Sequence, residues 1–241
     1  MEAERHLDWP GCFNVRDLGG LSAAGGRRTR RAALVRADSL ERLTDAGWQA
    51  LLDHGVRTVI DLRNLEERGE DAAARPAEIT TVRLPLDGTR DRPLWQGVEQ
   101  TPGFGTPLYY RAHVMRKPQL SAAVLAAIAR AEPGGVVFHC VVGRDRSGQI
   151  AMLALALAGV APALIAADYE LSHERLRALF AELGEEDQGP KLAAHLAERG
   201  TTAAAVIETT LSSLDVEGLM AAGGFTGAEQ AALRERMLEP Q

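Results

Sequence analysis

The segment VVFHCVVGRDRSG, residues 136 to 148, constrains this chain more than any other. Val136 to His139 reads as a short buried strand, and Arg146 to Ala158 as a long apolar helix. Between the two stand a cysteine, a glycine and charged residues, which are costly beside a buried strand end unless something receives them. A strand running into a helix N-terminus turns its loop amides inward, where they suit an anion such as phosphate. The same amides and the helix dipole favour a thiolate over a thiol. Five residues separate Cys140 from Arg146, enough to pass round three phosphate oxygens with sulfur beneath. Arg146, in the first helical turn, can hold two oxygens with its planar fork. Gly143 suits the tight turn, and Ser147 can donate to the sulfur. Cys140 and Arg146 are therefore the expected catalytic pair, with Val141, Val142, Gly143, Arg144 and Ser147 binding the substrate. A merely structural buried cysteine, common elsewhere, explains neither Gly143 nor the charges.

The rest of the chain alternates strand and helix. Ala33 to Arg36 is a short strand candidate. Thr44 to Gly55 reads as a helix with Thr44 as N-cap and Gly55 as its stop. Thr58 to Leu62 is β-branched like a buried parallel strand, and Thr81 to Leu86 is a second candidate. Pro118 to Arg130 is an amphipathic helix ended by Pro133-Gly134-Gly135. Residues 87 to 117 lack a sustained period and read as a long loop or lid. After Asp168 the pattern is helical, with Val206, Leu211, Leu214 and Leu219 as its apolar positions. The implied fold is α/β, with a mainly parallel central sheet flanked by helices, a helical lid or insertion at 87–117 and a helical C-terminal part. One domain over 1–241 is expected.

Composition narrows the partners. A net charge of -6 argues against nucleic-acid binding, though one locally positive site can still take an anionic substrate. Arg27 to Arg31 is a basic run read as a solvated hairpin. Two cysteines do not make a disulfide framework, the charged first nine residues do not resemble a signal peptide, and the cytoplasm is the default location. The apolar stretch from Ile150 to Ala167 is long enough to test as a membrane span, but its alanines, Gly159 and Pro162 fit a buried helix better. The six histidines show no metal-ligand spacing, so no metal or cofactor is expected. Nothing in the pattern speaks to oligomeric state.

His139-Cys140-x5-Arg146-Ser147 resembles the signature of the protein tyrosine phosphatase superfamily. Gly143 to Gly148, G-R-D-R-S-G, is similar to the G-K-D-R-T-G loop of its bacterial and fungal members. Further segments match in order. Asn14 to Gly20 resembles N-F-R-D-L-G-G, Leu34 to Leu40 resembles L-[FY]-R-S-x-x-L, Val59 to Arg63 matches V-I-D-L-R, and Ala167 to Ser172 matches A-D-Y-x-x-S. Arg144 and Ser147 depart from the usual lysine and threonine; Arg144 keeps the charge as a fork rather than a point.

The resemblance implies a phosphotyrosine-directed phosphatase, with dual specificity as an extension, working through a phosphocysteine without metal. It makes Asp145 the first choice for general acid, with Asp61 and Asp87 as alternatives, since no W-P-D loop is found. His139 is expected to support the loop, and Asn14, Arg16 and Asp17 to brace its back. A reversible disulfide between Cys12 and Cys140 is weighed against a plain thiol at Cys12, the simpler reading. Phosphorylated proteins or small-molecule phosphates are the expected partners. A phosphoinositide or metabolite phosphatase is the alternative. A non-catalytic phosphate-binding module and a rhodanese-like sulfurtransferase are more remote, because Cys140 and Arg146 are both present at phosphatase spacing.

Overall fold

The computed structural model describes residues 5–88 and 105–240. Strands β1 (Arg16–Asp17) and β2 (Leu34–Ala37) open the chain, followed by helix α1 (Asp45–Asp53), strand β3 (Val56–Asp61) and strand β4 (Thr80–Arg83). Next come α2 (Tyr110–Arg116), α3 (Pro118–Arg130), strand β5 (Gly135–His139) and α4 (Arg146–Leu157). Helices α5 (Pro162–Glu170), α6 (Ser172–Leu183), α7 (Gly189–Ala197), α8 (Ala203–Ser212), α9 (Val216–Ala222) and α10 (Gly227–Met237) complete it. The sheet order is β1-β2-β5-β3-β4; only β1 is antiparallel to its neighbour. The expected α/β architecture with a mainly parallel sheet is thus observed.

β5 lies in the middle of the sheet because all five of its residues are buried. Leu34 to Ala37 pairs with Val136 to His139 on one side, and Thr58 to Asp61 with the same residues on the other. One face carries a cluster with Trp48, Leu51, Val59 and Val137; the other carries Ile60, Phe138 and most of α3 and α4. From Ser147 to Leu155 every residue of α4 is buried. The apolar stretch from Ile150 to Ala167 is core along α4 and again at Ile165 and Ala166, but it is broken at Gly159, and Ala161 to Leu164 and Ala167 are exposed. No helix among the described residues is long and apolar enough to cross a membrane.

Several boundaries differ from the sequence reading for local reasons. Thr44 caps α1 as expected, its side chain accepting from the Gly47 N–H at 3.2 Å. β3 starts two residues early, directly after the turn at Gly55. β4 stops at Arg83 because Pro85 has no N–H to continue the ladder. The chain beyond is held instead by Leu84 and Leu86 N–H groups on the Asp61 and Leu62 carbonyls.

Residues 105–117 correct the loop reading. Pro107–Tyr109 forms a 3-10 turn that runs into α2, and Tyr109, Tyr110, His113 and Val114 are buried. Two adjacent tyrosines hide an amphipathic period, because a phenol can be buried once its hydroxyl finds an acceptor. Residues 89–104, the greater part of the expected lid, lie outside the described residues. In the C-terminal part the helices are as expected, but the deepest positions are Ile207, Met220, Phe225 and Leu233. Val206, Leu211 and Leu219 pack around them, half-buried.

Candidate active site

Cys140 follows β5 directly, is 1% exposed, and begins the loop that enters α4 at Arg146. Its carbonyls turn outward onto the surrounding protein. Val141 O accepts from the Ser39 N–H at 3.0 Å, and Val142 O from Asn14 Nδ2 at 3.0 Å. Gly143 O and Arg144 O accept from one Arg36 nitrogen at 2.9 and 3.1 Å, and Asp145 O from the Tyr110 hydroxyl at 2.7 Å. In a planar trans peptide an outward carbonyl sends the following N–H the opposite way. None of the N–H groups of residues 141–145 has an acceptor among the described residues. A row of inward donors above a cysteine at a helix N-terminus is an oxyanion cradle.

The turn depends on Gly143. Its φ is +70°, and a Cβ there would lie 2.6 Å from the Asp38 nitrogen. Gly148 has a packing reason: its Cβ would meet the Tyr110 hydroxyl at 2.6 Å. Ser147 Oγ is 3.8 Å from Cys140 Sγ and fully buried, so the hydroxyl lies beside the sulfur. His139 Nδ1 is 3.3 Å from the Cys140 carbonyl, and burial lowers its pKa to about 4 against the pull of Asp61, so its ring is neutral near pH 7.

The segments quoted for the resemblance meet behind this loop. Asp168 receives Arg5, Arg16 at 3.1 Å and Arg36 at 2.9 Å. Arg16 also donates to Asn14 Oδ1 at 2.8 Å and to Ser172 Oγ at 3.1 Å. Burial, and the neighbouring Arg36, lower Arg16 to about 10, which still leaves it charged at neutral pH. Burial opposes the charge on Asp168 too, but three guanidinium groups hold its carboxyl far below the usual range. Asn14 and Arg16 thus brace the loop as expected. Asp17 does not: its carboxylate accepts from the Gly19 and Ala32 N–H groups and meets His54, away from the cradle.

Arg146 is met by a residue the sequence reading passed over. Its two terminal nitrogens donate to Glu67 at 2.5 and 2.6 Å, and one also donates to Asp87 at 3.0 Å. Glu67 closes a capping box with Asn64, accepting from its N–H at 2.7 Å. The Asn64-x-x-Glu67 spacing is the signal that could have revealed it. Asn64 Nδ2 donates to Asp87 at 2.8 Å, so the short turn Leu65–Glu67 and the chain after β4 are joined at Arg146.

The three candidate acids stand in different surroundings. Asp61 is clasped by Arg63 through two bonds of 3.0 Å; burial would raise its pKa, but Arg63 and His139 leave it lowered. Asp87 is raised, by burial first and by the Glu67 and Asp145 carboxylates, against the attraction of Arg146. Asp145, at the first position before α4, makes only long contacts of 3.4 and 3.5 Å with Arg144. Arg144 is 3% exposed and reaches Gln188 at 3.3 Å. It forms part of a 290 Å³ cleft between α5, α7 and the start of α8. Val142, like Phe13, packs instead against the cluster of Leu176, Leu179 and Phe180. Tyr109 is buried within electrostatic range of Asp145, Asp87, Arg146 and Cys140. Cys12 and Cys140 are both free. Cys12 lies in the opposite core cluster, its sulfur 2.7 Å from Asp38 Oδ1, and burial beside that carboxylate pushes its thiol up.

Known proteins are similar to this chain in sequence. A tyrosine-protein phosphatase of Nostoc commune is 38% identical over 142 residues, which cover 58% of this chain and 48% of that protein. A Cupriavidus necator protein, named provisionally as a tyrosine-protein phosphatase, is 32% identical over 182 residues, 73% of this chain and 66% of its own length. A triple specificity protein phosphatase of Mycobacterium tuberculosis is 26% identical over 205 residues, 73% of this chain and 72% of its own. The chain thus spans about half to two-thirds of the length of the first two relatives. A family model described as the tyrosine phosphatase family matches residues 7–239, nearly the whole chain, and the chain belongs to that family.

Proposed function

We propose that the protein is a cysteine-dependent phosphatase that hydrolyses phosphomonoesters, with phosphotyrosine in proteins as its substrate class. The observation that carries this is the loop 140–146: a buried sulfur beneath inward amides, with Arg146 fixed at its rim. The Cys140 thiolate attacks phosphorus and the P–O bond to the leaving group breaks, giving a phosphocysteine. The loop amides and the side of the Arg146 fork not engaged by Glu67 stabilise the equatorial oxygens. The leaving oxygen takes a proton from an aspartic acid. Water then attacks phosphorus, the P–S bond breaks, and the same aspartate accepts the water proton. Ser147 stabilises the departing thiolate. Val141, Val142, Gly143 and Arg144 supply the backbone of the cradle.

Asp145 is the proposed acid, because it lies within the loop 140–146 and no short hydrogen bond among the described residues holds its carboxyl. A second reading rests on Asp87, whose raised pKa suits a proton donor. The names of the relatives support a protein substrate. A single domain over 1–241, and phosphoinositides or phosphorylated metabolites as further substrates, belong to the same reading. The test is acid-quench trapping with a 32P-labelled aryl phosphate in the presence of chelator. Label on Cys140 in the native chain, and none in Cys140→Ser, is expected. Undiminished turnover by Cys140→Ser overturns the mechanism.

A further inference from the structure

The basic run Arg27 to Arg31 is left over by the active site, and it leads to the other end of the sheet. A cavity of 550 Å³ opens there, lined by the starts of β2 and β5 and by α10, with Arg30, Arg31 and Arg236 on its walls. That volume falls in the range of small-molecule sites. Gly135 lines it at the first residue of β5, and Cys140 follows the last, so the two sites lie about 17 Å apart at a strand's rise per residue.

Arg30 and Arg236 are held in place by carbonyls. Arg236 donates to the Gly134 carbonyl at 2.7 Å and to the Ala131 and Glu132 carbonyls. Arg30 donates to the Glu235 carbonyl through its guanidinium and to the Met237 carbonyl through its backbone N–H at 2.6 Å. Carbonyls orient a guanidinium without cancelling its charge. Neither Arg30 nor Arg236 has a carboxylate partner among the described residues, although Glu235 also lines the cavity. The Arg236 Nε is buried without a hydrogen-bond partner, and burial together with the nearby Arg30 lowers the Arg236 pKa. Two like charges beside a cavity, neither cancelled by a carboxylate partner, are stabilised by an anion between them. The remaining wall is Ala33, Ala129, Ala232 and Pro133, short side chains that leave room for an organic body.

We propose that this cavity binds a small organic phosphate, its anionic group between Arg30 and Arg236 and its apolar part on the alanine wall. It is a second anion site, separate from the cradle at Cys140 and independent of whether that cradle catalyses.

The test is an amide-shift titration of the full chain with adenosine 5′-monophosphate, in a Cys140→Ser background so that the probe is not consumed. Saturable shifts are expected at Gly134, Gly135 and Ala232, apart from any at 141–147. Ala232→Glu, which puts a carboxylate into the cavity and breaks no hydrogen bond, should weaken that response at least tenfold and leave the loop response unchanged. Arg236→Gln should do the same; if its spectrum shows unfolding, Ala232→Glu decides. A response confined to 141–147, or a cavity response unaltered by Ala232→Glu, overturns the proposal.

Discussion

Glu67 grips Arg146 with both carboxylate oxygens, at 2.5 and 2.6 Å, so the fold itself orients this guanidinium. A fork held on one edge keeps its other edge for the ligand, and most of the cost of ordering a long side chain falls on folding. Glu67 is a positioning residue in this reading, itself fixed by the Asn64 N–H.

Glu67→Gln should lower kcat/KM for an aryl phosphate by about 10²-fold, the scale of a displaced positioning group. Thermal stability should change little, since the pair is partly exposed. Glu67→Asp should recover part of the loss. Unchanged kinetics in Glu67→Gln would remove the positioning role.

The acid can be identified by leaving group. Asp145→Asn should cost about 10²–10⁴-fold on phenyl phosphate and much less on p-nitrophenyl phosphate, whose leaving group needs little protonation. Asp87→Asn should affect both substrates alike, through its contact with Arg146. The reverse pattern moves the role to Asp87.

Asp168→Asn leaves Arg5, Arg16 and Arg36 without their shared counter-charge, and should destabilise the fold by about 3–5 kcal/mol in chemical denaturation. The pH dependence follows from its depressed carboxyl. Its contribution is complete above the unfolded aspartate value of about 3.9 and is lost as pH falls below that. The native chain should therefore lose stability on acidification below about pH 4 more steeply than Asp168→Asn does. Parallel curves would show that Asp168 is not the coupled group.

Gly143→Ala forces a side chain into a left-handed turn and against Asp38. Backbone strain alone is about 1–2 kcal/mol, so the chain should still fold. Phosphate affinity should fall about tenfold or more, because the amides either side of Gly143 lose their aim. Native affinity measured by calorimetry would show that the turn tolerates a Cβ.

Much of this molecule is legible along the chain because it is local. A buried strand, a glycine turn and a helix start lie within thirteen residues of one another, so Cys140, Gly143, Arg146 and Ser147 declare their arrangement by spacing alone. The parallel sheet follows from alternation of strand and helix. What the chain order cannot show is which distant side chain completes each group. Asp168 meets Arg16 and Arg36 across more than 130 residues, Glu67 meets Arg146 across 79, and Tyr110 reaches the loop from a stretch that reads as irregular. Those meetings depend on the crossovers that bring β2 and β3 to either side of β5, and no periodicity records them. The sequence by itself determined the cradle, since a phosphate loop is built from consecutive peptides. Only the tertiary structure decided what holds Arg146 and what braces the loop, because buried charges find their partners through packing in space and not through neighbours in the chain.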